Sequence, residues 1–339
     1  MSDLVLLTGI SGFIAKHVAL DLLGAGYRVR GTVRSSAKAD VVRETLKKAG
    51  GAVDRLEFFE ADLIRGEGWD AAAAGCRFVV HTASPFPATQ SRDKNALMPP
   101  ARGGTLRVVK AAAKAGVGRI VLTSSVAAIY YGHSAKWRTR FSEADWSDVE
   151  SSHISDYAMS KTESERAAWK AVEAGGPELV VVNPAFVLGP LLDRETGTSA
   201  ELIRTMLKGR LPVVPDITLG IVDVRDVASA HLRAMTVPHA AGRRFILCGG
   251  SMSMMDIGRM IALADPSAGN RVPKLVLPDF LVRAAAIFNR QARAAVPELG
   301  RRKILATEAA EQALGIDFRP PRDAVAAMVR SLKELDLAN

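Results

Sequence analysis

A tyrosine and a lysine four positions apart are the residues of this 339-residue chain best suited to carry a reaction. Tyr157 and Lys161 bound "YAMSK" in a run of helical pattern, and this spacing places two side chains on one helix face. A phenol, with a reference pKa of about 10, can donate a proton to a carbonyl oxygen at neutral pH, and a nearby ammonium lowers that pKa. Because the spacing also arises by chance, it indicates an acid catalyst only in combination with other features.

Two serines at the end of an apolar run are the second chemical feature. Ser124 and Ser125 close "RIVLTSS", and ligands bind at the carboxyl ends of the strands in a parallel doubly wound sheet. A hydroxyl there can hydrogen-bond a substrate carbonyl and stabilise the developing alkoxide. A serine that merely caps the strand is the alternative, and the pattern alone does not choose between them.

A glycine-rich turn near the N-terminus has the position of a phosphate-binding site. Residues 4–27 read as a short strand, a turn from Gly9 to Gly12 and a helix. Free N–H groups and the helix dipole attract anions at such a turn, and glycine lets a phosphate come close. The GxxGxxA spacing from Gly9 to Ala15 also occurs where glycine serves packing alone, but its place directly after the first strand favours a dinucleotide.

The end of the second predicted strand indicates which dinucleotide binds. NAD enzymes usually carry Asp or Glu about 20 residues after the glycine turn, whereas Arg there suits a 2′-phosphate. In "GTVRSSAK" (31–38), Arg34 stands at the end of the strand and Lys38 follows it. Between this strand and Asp40 there is no acidic residue. A guanidinium can bind a phosphate through two hydrogen bonds. The sequence therefore favours NADPH, with an exposed loop arginine as the alternative.

Strand-like and helical runs alternate over the first 190 residues. The β-rich runs are "YRVRGTV" (27–33), "RLEFFE" (55–60), "RFVVHTA" (77–83), "GRIVLTSS" (118–125) and "ELVVVNPAFV" (178–187). Helical patterns between them cover 37–49, 103–116 and 156–175. This alternation predicts an α/β fold, a doubly wound parallel Rossmann sheet with helices on both faces.

After Pro190 the alternation loses its regularity. "GRLPVVPD" (209–216) reads as a loop, and helical patterns follow at 200–208, 254–264, 279–294 and 320–334. We expect 212–247 to return a strand or two to the sheet. The predicted organisation is a cofactor domain over 1–190 plus 212–250 and a smaller, mostly helical substrate lobe over 191–211 and 251–339.

Composition indicates an ordinary globular protein: 48% of the residues are hydrophobic and 24% charged. No apolar run approaches the roughly 20 residues of a membrane span, and the chain enters its first strand too soon for a signal peptide, so we expect a cytoplasmic protein without a membrane partner. Cys76 and Cys248 read as reduced core residues. The six histidines show no metal-binding spacing, and we expect no metal.

The chain carries a formal charge of +9, which raises nucleic-acid binding as a minor alternative. Its basic residues are spread out, with one concentration between Arg283 and Lys303. In the run 280–303, Phe280, Ala284 and Phe288 stand among the arginines. The favoured interpretation is an amphipathic helix packed on the protein with a solvated basic face, and no nucleic-acid partner.

Taken together, the motifs resemble the extended short-chain dehydrogenase/reductases. The resemblance is carried by "TGISGFIA" (8–15), "ADL" (61–63), "HTASPF" (81–86), "TSSVAA" (123–128), "YAMSK" (157–161), "NPAFVLGP" (183–190) and "VDVRDVASAH" (222–231). It covers nearly the whole chain and is strongest to the NADPH-dependent aldehyde and ketone reductases, the group related to dihydroflavonol 4-reductase and yeast methylglyoxal reductase. It implies a small-molecule carbonyl substrate and a monomer or homodimer.

The resemblance also implies roles for individual residues. Tyr157 would be the general acid, Lys161 would bind the nicotinamide ribose and lower the tyrosine pKa, and Ser125, with Ser124 as the fallback, would polarise the carbonyl. The residues expected along NADPH are Gly9, Ser11, Gly12, Phe13 and Ile14 at the pyrophosphate, Arg34 and Lys38 at the 2′-phosphate, Asp62 and Leu63 at the adenine, Thr82, Ala83 and Ser84 after the fourth strand, and Pro184 and Val187 at the nicotinamide. Phe86 and Tyr130 are expected in the substrate pocket.

One departure bears on the substrate. Plant dihydroflavonol reductases carry a polar residue, typically Asn, five positions after the catalytic serine, whereas this chain has Tyr130. We therefore expect a less polar pocket with broad carbonyl specificity, because a methylene changes discrimination by only about 1–3 kcal/mol. The alternatives on the same scaffold are a nucleotide-sugar epimerase or dehydratase, a 3β-hydroxysteroid dehydrogenase, and a non-catalytic NADPH-sensing regulator.

Overall fold

The computed structural model describes residues 2–84, 98–133, 139–173 and 175–338. Its strands are β1 (Leu4–Thr8), β2 (Arg28–Val33), β3 (Leu56–Glu60), β4 (Phe78–His81), β5 (Arg119–Thr123), β6 (Arg140–Phe141), β7 (Glu178–Pro184), β8 (Phe186–Leu188), β9 (Val213–Pro215), β10 (Thr218–Asp223), β11 (Arg244–Leu247), β12 (Gly250–Ser253), β13 (Leu275–Leu277) and β14 (Ile304–Leu305). Its helices are α1 (Phe13–Gly24), α2 (Ser36–Lys48), α3 (Trp69–Ala73), α4 (Met98–Lys114), α5 (Asp156–Val172), α6 (Thr198–Leu207), α7 (Val224–Thr236), α8 (Met254–Ala264), α9 (Asp279–Ala285), α10 (Arg290–Ala295), α11 (Glu308–Leu314) and α12 (Pro321–Glu334).

Seven parallel strands form the central sheet, in the order β11-β7-β5-β4-β1-β2-β3. β1 and β5 are buried along their whole length, because helices cover both faces and parallel strands in such a layer read as continuous apolar runs. One core includes the apolar residues of α1, α7 and one sheet face; the other includes those of α3, α4 and the opposite face. The predicted doubly wound fold is confirmed.

The chain beyond β7 builds a second, smaller assembly. β10 pairs in parallel with β8 and antiparallel with β12, and apolar residues of α6, α8 and α12 form a third core beside this sheet. Within 212–247, only β11 returns to the seven-stranded sheet. The domain boundaries drawn from the sequence stay a prediction.

Two local expectations are wrong. The 209–216 segment contains β9, which pairs with β13, because its two valines give one apolar run between prolines enough β character to join a neighbour. The segment 279–294 is not one packed helix: α9 ends at Ala285, and the side chains of Phe280 and Phe288 are 68% and 92% exposed. The apolar pattern there is real, but no described part of the chain covers it.

No helix in the described ranges is both long and apolar enough to cross a bilayer. Cys76 and Cys248 are buried free thiols, as expected.

Three histidines are buried in the strands and helices of the seven-stranded sheet. Desolvation lowers the pKa of His17 and His231 to about 4 and that of His81 to about 3. All three are therefore neutral in the folded protein at pH 7, whereas in the unfolded chain they titrate near pH 6.5. As the pH falls below about 6.5, these histidines bind protons in the unfolded state but not in the folded state, so the free energy of unfolding decreases.

These lowered pKa values predict that the protein loses stability in acid, and a substitution can show which histidine is responsible. We expect the free energy of unfolding to fall by up to about 1.4 kcal/mol per pH unit for each buried histidine between about pH 6.5 and 4. Urea unfolding across this range should show a shallower slope for His231→Gln and an unchanged slope for His153→Gln, a change at an exposed position. Equal slopes for the two variants would contradict the assignment.

Candidate active site

The glycine turn after β1 is built for a close backbone approach. Gly9 has a φ of +66°, and a Cβ there would lie 2.9 Å from the Cβ of Ala83, so a side chain would strain the backbone and collide. A Cβ on Gly12 would lie 3.3 Å from the carbonyl oxygen of Gly9. No side chain caps the N-terminus of α1, whose first N–H groups point toward this turn. Ser11, Phe13 and Ile14 complete the turn and are each partly exposed.

The segment after β4 locks this turn in place. The Thr82 hydroxyl donates to the Thr8 carbonyl oxygen at 2.6 Å, and the Ala83 N–H donates to the Thr8 hydroxyl at 3.1 Å. Ser84 follows and is exposed. Phe86, expected in the substrate pocket, lies outside the described residues.

The residues expected at the adenosine end lie at the carboxyl ends of β2 and β3. Arg34 is exposed and, within the described ranges, makes no hydrogen bond or ion pair. Lys38 forms an ion pair with Glu195. Asp62 accepts a hydrogen bond from the N–H of Ile64 at 2.9 Å. Leu63 is buried, so of the two residues expected at the adenine, Asp62 is the more accessible.

Tyr157, Lys161 and Ser125 converge at the end of β5. The Ser155 hydroxyl caps α5 by accepting the Ala158 N–H at 3.1 Å, which places Tyr157 in the first helical turn. The Tyr157 hydroxyl shares a hydrogen bond with Ser125. One turn on, the Lys161 ammonium donates to a backbone carbonyl of β5 at 3.4 Å. Tyr157 is 37% exposed, so a substrate can reach it.

The electrostatics of the pair differ from the expectation. Desolvation raises the pKa of the Tyr157 hydroxyl, and the hydrogen bond with Ser125 offsets only part of the rise. Desolvation also lowers the pKa of Lys161 to about 8, against the raising effect of Glu165. In the protein alone, loss of water around the hydroxyl therefore sets the direction of the tyrosine pKa, and the expected lowering by Lys161 stays a prediction. Tyr157 is a protonated donor at neutral pH.

The two candidate serines face different surroundings. Ser125 accepts the Ala127 N–H at 3.1 Å and bonds Tyr157, so its hydroxyl lies beside the phenol. The Ser124 hydroxyl is buried, has no hydrogen-bond partner in the described part of the chain, and lines a cavity of about 10 Å³ with Lys161 and Ala83. The geometry favours Ser125 over Ser124 as the partner of a substrate carbonyl.

A buried polar network that the sequence analysis missed supports Ser125 from behind. Arg244 donates to Glu165 at 2.5 Å, and Asn183 bridges the other Glu165 oxygen, at 2.9 Å, to the Ser125 carbonyl, at 3.1 Å. The side chains of Arg244 and Glu165 are 8% and 0% exposed. Helix α5 thus holds Tyr157 and Lys161 near its start and is tied to β7 and β11 through Glu165.

The surroundings of Tyr130 are more polar than expected. The Lys303 ammonium lies 4.1 Å from the centre of the Tyr130 ring and 5.2 Å from that of Tyr131, and it pairs with Glu298. Lys303 also borders a cavity of about 1130 Å³ lined by parts of β10, β12 and β14. Lys303 lies more than 170 positions after Tyr130 in the chain, so the sequence alone does not predict their contact.

Pro184 and Val187, expected at the nicotinamide, are buried at the end of β7 and in β8. The Pro184 carbonyl oxygen lies 3.5 Å from the Ser125 hydroxyl. Ala83 provides the decisive link, because it touches the Gly9 turn and lines the same small cavity as Lys161. The Gly9 turn and the cluster of Tyr157, Lys161 and Ser125 therefore share one edge of the sheet.

A comparison with protein families explains this arrangement. The profile of the NAD dependent epimerase/dehydratase family matches residues 5–248. The chain belongs to this family. This family is part of the extended short-chain dehydrogenase/reductases, which the sequence motifs resemble. The resemblance is therefore confirmed.

Similar members of the epimerase/dehydratase family are reductases by name. The chain is 32% identical to cinnamoyl-CoA reductase 2 of Arabidopsis thaliana over 333 residues, 98% of this chain and 92% of the relative. It is 39% identical to tetraketide alpha-pyrone reductase 2 of the same plant over 253 residues, 73% of this chain and 78% of the relative. The crystal structure of yeast methylglyoxal/isovaleraldehyde reductase complexed with NADPH matches with a TM-score of 0.81 and 26% identity, covering 98% and 99% of the two chains.

Proposed function

We propose that this protein reduces an aldehyde or ketone to an alcohol with NADPH. The observation that carries the proposal is the convergence of Tyr157, Lys161 and Ser125 at the end of β5, on the same sheet edge as the Gly9 turn. That arrangement provides a proton donor and a carbonyl-binding hydroxyl beside a phosphate-binding turn. The named relatives above share reductase activity, and one of them was crystallised with NADPH.

The residues present fit a dinucleotide at this edge. The glycine cradle would be filled by a Cβ at Gly9 or Gly12, and the uncapped start of α1 offers N–H donors to a pyrophosphate. Arg34, exposed at the end of β2, suits a 2′-phosphate. When bound, NADPH supplies the hydride that reaches the carbonyl carbon.

The protein side chains then manage the carbonyl oxygen. Ser125 hydrogen-bonds this oxygen and draws electron density toward it, and Tyr157 transfers its proton to the oxygen as negative charge develops. Lys161, on the same helix face, would hold the ribose, and its ammonium would stabilise the tyrosinate that proton transfer leaves. The products are an alcohol and the tyrosinate, which regains a proton from water.

We further propose that the lobe formed by 191–211 and 251–339 encloses the substrate and that Tyr130, with Lys303 above its ring, forms part of the pocket wall. Aromatic rings beside a lysine that is paired with Glu298 would suit small aldehydes and ketones of varied shape. A cytoplasmic location and a monomeric or homodimeric state stay predictions.

A panel assay tests the proposed reaction. Oxidation of NADPH and of NADH is followed with phenylacetaldehyde, methylglyoxal, an aryl ketone and a dihydroflavonol. Turnover of an aldehyde or ketone, faster with NADPH, is the expected result. Measurable NADPH binding without turnover of any compound would instead favour a sugar-nucleotide enzyme, a steroid dehydrogenase or a regulator.

The role of Arg34 leads to a separate prediction. Arg34→Ala removes a charged donor to the 2′-phosphate, so the Kd for NADPH should rise about tenfold or more, while that for NADH stays nearly constant. Fluorescence titration with both cofactors measures this. Arg28→Ala, at the opposite and exposed end of β2, is the charge-matched control. Equal losses for NADPH and NADH in Arg34→Ala would remove the 2′-phosphate role.

A further inference from the structure

Two carboxylates are bound to groups at the predicted 2′-phosphate site. The Lys38 ammonium donates to Glu195 at 2.6 Å, and the Ser36 N–H donates to Glu60 at 2.6 Å. Lys38 and Ser36 belong to the first turn of α2, directly after Arg34. The protein alone thus directs negative side chains at the donors that a phosphate needs.

Glu195 is held in this position by the loop that carries it. The loop connects β8 to α6, and Asp193 within it pairs with the nearly buried Lys16 of α1. Asp193 also accepts the Thr45 hydroxyl of α2 at 3.3 Å and the Glu195 N–H at 3.0 Å. Because Asp193 fastens the loop to α1 and α2, the backbone that carries Glu195 is held near Lys38.

Glu60 reaches the same place from the neighbouring strand. It is the last residue of β3 and lies in register with Val33 of β2, one residue before Arg34. Its exposed carboxylate therefore lies at the carboxyl end of β2, where the adenosine end of a dinucleotide binds in this class of fold.

A 2′-phosphate must displace or approach both carboxylates. The phosphate carries a charge of about −1.5 to −2 at neutral pH, so it competes with Glu195 for Lys38 and is repelled by Glu60. The Lys38–Glu195 pair is exposed, with side chains 39% and 48% accessible, and exposed pairs contribute little. Displacement is therefore feasible but costs affinity that NADH, which lacks this phosphate, does not lose.

We propose that Glu195 and Glu60 are specificity-determining residues that weaken the binding of the 2′-phosphate and so limit the preference for NADPH over NADH. The inference rests on the proposed function for the identity of the cofactor. It assigns Glu195, in the segment that leads into the substrate lobe, a role at the cofactor.

Calorimetric titration of the full-length protein with NADP⁺ and with NAD⁺ tests the inference without any substrate. Glu195→Gln should lower the Kd for NADP⁺ about two- to fivefold and leave that for NAD⁺ unchanged, and Glu60→Gln should act in the same direction. In a Lys38→Met background, Glu195→Gln should lose most of its effect. Glu201→Gln, on an exposed acid of α6 paired with Arg204, removes the same charge and should change neither Kd.

The other outcomes each decide the matter. The inference is overturned if the Kd for NADP⁺ is unchanged or raised in both Glu195→Gln and Glu60→Gln. It is also overturned if the Kd for NAD⁺ falls as much as that for NADP⁺, or if Glu201→Gln lowers the Kd for NADP⁺ to the same extent. Either result leaves the proposed reductase function standing. No binding of NADP⁺ to the unchanged protein contradicts both the inference and the proposed cofactor. Failure of the carbonyl panel alone contradicts the proposed reaction but not the role of the two acids.

Discussion

Tyr157→Phe should lower kcat for carbonyl reduction by about 10²- to 10⁴-fold while the affinity for NADPH remains nearly unchanged. The substitution removes the proton donor and the hydrogen bond to Ser125 but keeps the ring. Because desolvation raises the pKa of this phenol, it is protonated throughout the neutral range and can act as the acid. Steady-state kinetics and a cofactor titration on the same preparation measure both quantities.

A second tyrosine supplies the control for this variant. Tyr27 packs edge-on against Phe78, with ring centres 6.5 Å apart, at the start of β2 and away from Tyr157. Tyr27→Phe removes the same hydroxyl and should retain activity close to that of the unchanged protein. Full activity in Tyr157→Phe would exclude this residue as the acid.

Glu165→Ala should destabilise the fold by about 3–5 kcal/mol. It leaves the guanidinium of Arg244 buried without its carboxylate and breaks the link through Asn183 to Ser125. Urea unfolding followed by far-ultraviolet circular dichroism measures the loss. Glu163→Ala, two positions away and half-buried in a surface pair with Arg166, should cost less than about 1 kcal/mol.

A compensating variant separates loss of a pair from loss of packing. Combining Glu165→Leu with Arg244→Met removes both charges, and apolar replacement of a buried pair is often neutral. We expect the double variant to be more stable than Glu165→Leu alone. Equal instability of the two would contradict a cost due to the unpaired guanidinium.

The features predictable from sequence are those with local causes. The turn at Gly9 and the strand ending at Ser125 are set by conformational needs of a few consecutive residues. Tyr157 and Lys161 share a helix face because of their spacing, so their convergence needed no knowledge of the rest of the chain. Strand alternation likewise predicted the parallel sheet.

The features missed from sequence depend on contacts between distant segments. Glu165 reads as an ordinary surface acid of a helix, and its partner Arg244 lies 79 positions away. The same holds for Glu195, which meets Lys38 across 157 positions. At Phe280 the predicted packed helix face is wrong, because periodicity shows which face is apolar but not whether another element covers it. The described chain leaves Phe280 68% exposed.

Transfer of deuterium from NADPH that carries deuterium at both C4 positions of the nicotinamide tests the central claim most directly. Single turnover of an aldehyde from the panel should place one deuterium on the carbinol carbon of the alcohol and leave NADP⁺, and Tyr157→Phe should slow this transfer by about 10²- to 10⁴-fold. Alcohol that forms without the label, or transfer at an unchanged rate in Tyr157→Phe, would contradict hydride reduction with Tyr157 as the acid.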